Sequence, residues 1–166
     1  MQYTISQFNE MNQEAFTEAL ATIFEHSPWI PENAWQKRPF ADLSSLHQSL
    51  VEVVQTASKE QQLNLICAHP DLGTKAKMAE ASVKEQAGVG LDKLTPEEYQ
   101  RFHSLNETYK EQFGFPFIIA VKNHSKDSIL TAFEQRLKNS PEVELNQALS
   151  EIFQIARFRL NDLMSV

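Results

Sequence analysis

The segment 140–164 decides the fold, and it reads SPEVELNQALSEIFQIARFRLNDLM. Ser140 and Pro141 form a typical helix start, because proline fits the first turn of a helix. At about 100° per residue, the apolar side chains that follow lie on one helical face. They are Leu145, Leu149, Ile152, Ile155, Ala156, Leu160 and Leu163. The stretch therefore predicts a long amphipathic helix that runs to about Met164.

Apolar residues recur at helical spacing through most of the remaining chain. The clearest helix start is Thr95-Pro96-Glu97-Glu98, where threonine caps the helix, proline occupies the first turn and the second glutamate completes a capping box. Residues 12–25 are predicted as a helix that stops before two prolines. Further helices are predicted over the apolar stripes 43–54, 58–66 and 125–137.

No stretch alternates between apolar and polar residues for long enough to indicate a half-buried strand. Residues 115–121 are apolar, but no second candidate strand could pair with them, so they are predicted as extended chain or as a helix start. A chain of 166 residues, 42% of them hydrophobic, fits one globular domain. The sequence predicts a single all-α domain over residues 1–166, with about seven to nine helices.

The charge balance argues against several classes of partner. The chain carries 15 Lys and Arg against 22 Asp and Glu and has no basic run, which disfavours a nucleic-acid-binding protein. Its longest apolar run is roughly a third of a membrane span, and the N-terminal residues do not resemble a signal peptide. The single cysteine, Cys67, suits a reducing compartment and is predicted as a small buried apolar residue. We expect a cytoplasmic protein without a membrane segment.

Arg159 lies inside the apolar face of the final helix, between Ile152 and Leu163. A buried guanidinium needs an anionic partner, because an unpaired buried charge is very costly. Two interpretations stay open at this point: a structural ion pair with a carboxylate, or an anion site that grips a substrate carboxylate in bidentate fashion. Arg157 points to another side of the helix and is predicted as a solvated surface charge.

His69 follows a predicted helix and precedes a proline, which disfavours helical backbone at the histidine. Its near-neutral pKa makes it the natural acid–base candidate, although a purely structural role is the alternative. Asp71 is interpreted as a cap of the turn that follows. The other histidines are expected at the surface: His26, His47, His103 and His124.

Residues 82–91 form a polar stretch that ends in two glycines. In a helix, Ser82, Glu85 and Gln86 share one face. The alternative is a solvated helix that Gly88 terminates. The stretch lacks a complete phosphate-loop motif, so a nucleotide site is not expected.

The motifs for metal and nucleophilic chemistry are incomplete. Cys67 and His69 have no second ligand pair at zinc-finger spacing, and a Gly-x-Ser-x-Gly elbow does not occur. We therefore expect no metal and no cofactor, and any catalysis would use His, Glu and Arg side chains.

Taken together, these residues resemble the 2-oxo-4-hydroxy-4-carboxy-5-ureidoimidazoline (OHCU) decarboxylase family. The resemblance extends over nearly the whole chain, and the order and spacing of its motifs make it specific. The motifs are Phe24-Glu-His-Ser-Pro-Trp29, Ala68-His-Pro-Asp-Leu-Gly73, Ser82-x-x-Glu85-Gln86-x-Gly88-x-Gly90-Leu91, Phe113-Gly-Phe-Pro-Phe117 and Ile155-Ala-x-x-Arg159-Leu160.

The resemblance implies an all-helical carboxy-lyase of urate degradation, usually a homodimer, that forms (S)-allantoin from a small-molecule substrate without a cofactor. It implies that His69 is the catalytic histidine and that Glu85 and Arg159 are its partners. The residues implied to contact substrate are Pro70, Ser82, Val83, Lys84, Gln86, Phe117, Ile118, Ile119, Ala120 and Val121.

Two other functions remain open at the level of sequence. One is a helical binding module in which His69, Glu85 and Arg159 form only a buried ion-pair network. The other is a cofactor-free decarboxylase or hydrolase that acts on a related ureide or imidazolone. Purine-analogue binding without turnover would indicate the first, and a substrate panel would separate the second.

Overall fold

The computed structural model describes residues 2–73 and 80–165, except for the side chains of residues 80 and 81. Within these residues the chain forms nine α-helices and two short 3-10 helices, and its one β-type contact is a bridge between Tyr3 and Met164. The α-helices are α1 (Ile5–Glu10), α2 (Gln13–Ala19), α3 (Trp29–Ala34), α4 (Leu43–Gln55), α5 (Lys59–Cys67), α6 (Glu80–Gly88), α7 (Pro96–Phe113), α8 (Lys126–Arg136) and α9 (Pro141–Leu163). The 3-10 helices are Trp35–Lys37 and Val121–Asn123. The predicted all-α class is confirmed.

The chain divides into two compact units. Unit 1 comprises Met1–Leu65 and Phe153–Val166, and unit 2 comprises Ile66–Ile152. Helix α9 therefore contributes its first part to unit 2 and its last part to unit 1. The single domain over residues 1–166 stays a prediction. No helix in the described ranges is both long and apolar enough to cross a membrane.

Unit 1 has an aromatic core near its N-terminal helices. The ring of Phe16 meets Phe8 edge-on at 6.1 Å and stacks on Phe40 at 5.8 Å between centroids. The side-chain amide of Asn9 joins this core to the backbone, since it donates to the Phe40 carbonyl and accepts from the Phe40 N–H at 3.0 and 2.8 Å. These contacts fix the loop that leads into α4.

The helix predicted for residues 12–25 is wrong in its length, because α2 ends at Ala19. Beyond that point the backbone tightens, and the Ile23 N–H donates to the Leu20 carbonyl, three residues back. His26 then adopts a φ of 46°, which an α-helix cannot contain. Ile23 is nonetheless buried. Its helical spacing therefore reflects burial within a turn.

Unit 2 is organised around α7, which begins as predicted. The Thr95 side chain accepts from the Glu98 N–H, and the Glu98 side chain accepts from the Thr95 N–H. The helix ends at Gly114, which has a φ of 81°. Residues 116–120 form no regular secondary structure and Ala120 is extended, which agrees with the extended-chain alternative, and a 3-10 turn follows.

Helix α6 ends at Gly88, as that alternative predicted, but Gly88 itself is not left-handed. The left-handed residue is Gly90, which has a φ of 83°. The Gly90 N–H donates to the Ala87 carbonyl, and the Leu91 N–H donates to the Gln86 carbonyl at 2.9 Å. These contacts satisfy carbonyls at the helix end, as a left-handed C-terminal motif does.

Candidate active site

His69 lies just beyond the end of α5, as predicted, and its side chain is 8% exposed. Its backbone N–H donates to the Ile66 carbonyl at 3.1 Å, which closes the last turn of the helix. The imidazole is therefore held at a helix terminus in unit 2 and is largely removed from solvent.

The turn that follows His69 is fixed by side chains from two helices. The Lys110 Nζ lies 2.8 Å from the Asp71 Oδ2, and the Asn106 side chain donates to the Leu72 carbonyl at 2.8 Å. The Gly73 N–H donates to the Gln86 Oε1 at 3.0 Å. Three consecutive residues after Pro70 are thus anchored to α7 or α6.

The ion pair changes the interpretation of Asp71. Its hydrogen bond to the ammonium group is the main cause of the raised pKa of Lys110, against a smaller opposing effect of burial. Asp71 therefore acts here as an anchor to α7. The predicted cap of the turn that follows Asp71 stays a prediction.

Gly73 has a structural reason to be glycine. Its φ is 68°, and a Cβ at this position would lie 2.7 Å from Leu94 Cδ1. A larger residue would meet both backbone strain and a steric clash. Leu94 lies in the loop between α6 and α7.

Helix α6 turns the predicted polar face inward. Ser82 and Gln86, one turn apart, are each 5% exposed, and Glu85 is half-buried. A fully solvated helix is therefore wrong for this segment. Val83 and Lys84 lie on the exposed side, and their contact with substrate stays a prediction.

The segment 117–121, which we call the buried segment, has its five side chains 5% exposed or less. Two of its backbone groups form hydrogen bonds with side chains. The Ala120 N–H donates to the Glu151 Oε1 at 3.1 Å, and the Ile118 carbonyl accepts from the Arg136 Nη1. The ring of Phe117 stacks on Phe133 at 3.7 Å. The segment is therefore held by packing and by two charged side chains.

A fully buried carboxylate supports the Arg136 contact. Glu144 has no exposed surface and accepts from the Tyr109 hydroxyl at 2.6 Å, the Arg136 Nε at 2.8 Å and the Asn139 side chain at 2.8 Å. Burial, reinforced by the bond to Glu144, raises the pKa of Tyr109 well above its usual value. The phenol is therefore a permanent donor at neutral pH.

Arg159 lies in unit 1, where it forms the buried ion pair anticipated as one alternative. Its Nη2 lies 3.0 Å from Glu25 Oε1, and its Nη1 donates to the Thr22 and Ile23 carbonyls at 3.2 and 3.4 Å. The side chain is 6% exposed. The guanidinium is thus rigidly oriented, and its contact with a substrate anion stays a prediction.

The structure places the predicted residues as two sets. His69, Pro70, the α6 residues and the buried segment belong to unit 2, and Arg159 belongs to unit 1. Within unit 2, the contact between Gly73 and Gln86 joins the His69 turn directly to α6.

Three charged residues were missed by the sequence reasoning, although a signal for them exists. Glu144 and Glu151 share an inner face of α9 with Ala148 and Ile155, at intervals of three and four residues. Arg136 shares a face of α8 with Ile129 and Phe133. The criterion that singled out Arg159, a charge inside an apolar stripe, applies equally to these residues.

The prediction of a buried Cys67 is wrong. The residue is exposed, because it lies two positions after Leu65 and so points away from the buried face of α5. Partial desolvation raises the pKa of its thiol. Among residues 2–73 and 80–165, no three His, Cys, Asp or Glu side chains are grouped so that they could hold a metal ion.

The fold and these contacts define an all-α protein with a buried histidine on an anchored turn beside polar groups of a second helix. The chain belongs to the OHCU decarboxylase family, whose family model matches residues 9–161.

Two relatives illustrate the membership. The chain is 43% identical over 162 residues to 2-oxo-4-hydroxy-4-carboxy-5-ureidoimidazoline decarboxylase of Haloferax volcanii, which covers 98% of this chain and 96% of the relative. It is 47% identical over 163 residues to the uric acid degradation bifunctional protein PucL of Bacillus subtilis, covering 98% of this chain and 33% of that protein. The chain therefore spans about a third of PucL.

Two solved structures share the fold. A crystal structure of (S)-allantoin synthase matches with a TM-score of 0.77 and 32% identity, covering 98% of this chain and 54% of that chain. A crystal structure of OHCU decarboxylase in the presence of (S)-allantoin matches with a TM-score of 0.71 over 94% of this chain and all of that chain. At 21% identity, the second match concerns the fold alone.

Proposed function

We propose that this protein is a carboxy-lyase that converts 2-oxo-4-hydroxy-4-carboxy-5-ureidoimidazoline to (S)-allantoin in urate degradation. Membership of the OHCU decarboxylase family supports this reaction. The relative from Haloferax volcanii is named for the decarboxylase activity, and the match covers 96% of its length. The activity of the part of PucL outside the match is not included in the proposal.

The observation that carries the proposal is the placement of His69. The imidazole is 8% exposed, and the three residues from Asp71 to Gly73 each contact a side chain of α6 or α7. A catalytic base must be held within hydrogen-bond reach of one particular proton, and a rigid turn provides that accuracy.

The chemistry needs only acid–base groups and positioning. Cleavage of the bond to the carboxylate releases CO₂ and leaves an electron pair, which the conjugated imine and carbonyl system of the substrate accepts. His69 takes or steers the proton of the 4-hydroxyl group, whose carbon becomes a carbonyl, and delivers a proton to one face of the neighbouring carbon that bears the ureido group. The ring nitrogen that received the electron pair takes up a proton from solvent. Because the electron sink belongs to the substrate, the proposed reaction requires no cofactor.

The neighbouring residues have supporting roles in this proposal. Glu85 orients His69 or binds the ureido group, and Ser82 and Gln86 offer polar groups from the inner face of α6. The N–H groups of Ile118 and Ile119 donate no hydrogen bond to any described residue. They are therefore suited to bind ring oxygens of the substrate.

Arg159 completes the proposed catalytic set. Glu25 and two backbone carbonyls orient its guanidinium within unit 1. A guanidinium fork that is fixed in this way is suited to bind a carboxylate or ring oxygen of the substrate.

We also propose a cytoplasmic homodimer. The family resemblance supports the dimer, and the single free cysteine suits a reducing compartment. Size-exclusion chromatography with light scattering tests the dimer.

Freshly generated substrate tests the reaction. The protein should form dextrorotatory allantoin faster than the spontaneous decay, which gives the racemate. Loss of substrate at the spontaneous rate, with a racemic product, would contradict the proposal. Tight purine-analogue binding without turnover would instead indicate a binding module.

A further inference from the structure

The buried segment is anchored on both sides of Ile119 by charged side chains from two helices. Glu151, on α9, accepts from the Ala120 N–H, and Arg136, on α8, donates to the Ile118 carbonyl. Each of these charged side chains is more than nine-tenths buried, so its desolvation opposes folding. Packing alone could hold an apolar segment in place, so the two charged contacts indicate a further role.

The Glu151 anchor is a directed contact. The side chain is 7% exposed, and its Oε1 lies 3.1 Å from the Ala120 nitrogen. Its Oε2 accepts from the Gln147 side chain at 3.1 Å, one turn earlier on the helix. Together these two contacts hold the side chain so that its Oε1 stays within reach of the Ala120 amide.

The Arg136 anchor is equally constrained. Its Nε bonds to Glu144 at 2.8 Å, and its guanidinium lies over the ring of Phe117, 4.3 Å from the centroid. The Nη1 is thereby aimed at the Ile118 carbonyl. Arg136 thus has little freedom to move away from the segment.

The two anchors determine where Ile119 points its own polar groups. The peptide bonds on both sides of Ile119 are trans, so the C=O and N–H of each peptide point in opposite directions. The Ile119 N–H therefore points away from Arg136, and the Ile119 carbonyl points away from Glu151. Neither group has a partner among residues 2–73 and 80–165.

We propose that Glu151 and Arg136 are positioning residues, which hold the Ile119 N–H and carbonyl in place as a donor and acceptor for the polar ring edge of the substrate. The proposal rests on the proposed function for the identity of that substrate. The anchoring itself is a property of unit 2 and is open to a separate measurement.

The test compares three substitutions of one residue. Glu151→Gln keeps an oxygen at the same reach, whereas Glu151→Ala removes it and Glu151→Asp keeps the charge but withdraws it by one methylene. We expect kcat to fall by about 10- to 100-fold for Ala and Asp, with KM changed less than threefold. Glu151→Gln should stay within about threefold of the wild-type kcat, because reach rather than charge positions Ala120.

Two further measurements separate positioning from folding. Leu50→Ala, which truncates a fully buried side chain of α4, should lower Tm without this loss of kcat below its melting temperature. Hydrogen exchange of the Ala120 amide, followed by NMR, should accelerate at least tenfold in Glu151→Asp and stay slow in Glu151→Gln.

These measurements decide whether Glu151 positions the Ala120 amide. A wild-type kcat in Glu151→Asp, or an equal loss in Gln and Asp, would overturn the proposal, and so would unchanged exchange of the Ala120 amide in Glu151→Asp. If the wild-type protein does not turn over the substrate, the proposed function fails, and the exchange measurement still decides whether Glu151 holds the segment.

Discussion

The Lys110 ammonium lies 2.8 Å from the carboxylate of Asp71, and this ion pair ties the turn after His69 to the last turn of α7. Lys110 is also 3.2 Å from Glu107, one turn earlier on the same helix. The position of the imidazole therefore depends on a partly exposed contact that can be altered without disturbing the core.

Lys110→Met should affect activity more than stability. Because the pair is partly exposed, its loss should cost less than about 1 kcal/mol of unfolding free energy. The His69 turn should become less ordered, and kcat should fall by roughly threefold to tenfold. Lys37→Met, which removes a comparably exposed ion pair with Glu52 in unit 1, is the matched control and should keep full activity.

The pH dependence of this contact has a definite sign. The pKa of Lys110 is raised in the folded protein, mainly by Asp71, so the pair contributes fully below the unfolded pKa of about 10.4. Its contribution is lost only as the pH rises through the folded value. The difference in unfolding free energy between wild type and Lys110→Met should therefore be constant from about pH 7 to pH 9. A difference that declines over this interval would contradict the assignment.

Tyr109→Phe should destabilise unit 2 by about 1–3 kcal/mol, because Glu144 would lose one of its donors in a fully buried site. Urea unfolding measures the effect, and Tyr3→Phe is the control. The raised pKa of Tyr109 means that the folded protein keeps its phenolic proton after the unfolded chain begins to lose it. Wild-type stability should therefore decline above about pH 10, and less so in Tyr109→Phe.

Two glycines should respond oppositely to alanine. Gly73→Ala places a methyl group 2.7 Å from Leu94 Cδ1 at a φ of 68°, and should cost about 1–3 kcal/mol and lower kcat. Gly88→Ala lies in α6 with no atom within 4 Å of its Cβ among the described residues. It should stabilise the protein by about 0.5–1 kcal/mol. Thermal unfolding of both variants checks the pair, and equal shifts in Tm would refute the packing argument.

Variants of the buried pair of Arg159 and Glu25 should distinguish a structural role of the guanidinium from a role in substrate binding. Glu25→Ala leaves a buried guanidinium without its carboxylate and should cost about 3–5 kcal/mol. Arg159→Lys keeps a cation but loses the planar fork, and kcat/KM should fall by at least about 100-fold if the guanidinium binds substrate. Activity that tracks only the loss of stability in both variants would leave the pair with a structural role alone.

The elements predicted most accurately from the sequence are those with local signals. The capping box at Thr95 and the apolar stripe of α9 specify their helices through neighbouring residues, and both are present. The early end of α2 could not be predicted, because it depends on the left-handed backbone of His26 in a turn within unit 1. No local residue pattern indicates this turn.

In the candidate site too, local features could be predicted and long-range contacts could not. Short motifs predict the histidine turn and the polar face of α6, whereas the side chains that hold the site come from distant parts of the chain. Glu151 is 31 residues from Ala120, and Lys110 is 39 residues from Asp71. Such pairings depend on tertiary packing, so the sequence alone indicates only that a charge within an apolar stripe needs some partner.

The most direct test of the central claim is the rate and optical purity of allantoin formation by His69→Asn beside His103→Asn, a substitution of an exposed histidine on α7. If His69 is the acid–base catalyst, kcat/KM falls by at least about 100-fold for His69→Asn, and the residual product approaches the racemate of the spontaneous decay. His103→Asn should form (S)-allantoin at the wild-type rate. A His69→Asn variant with undiminished rate and undiminished optical purity would show that His69 is not the catalytic residue.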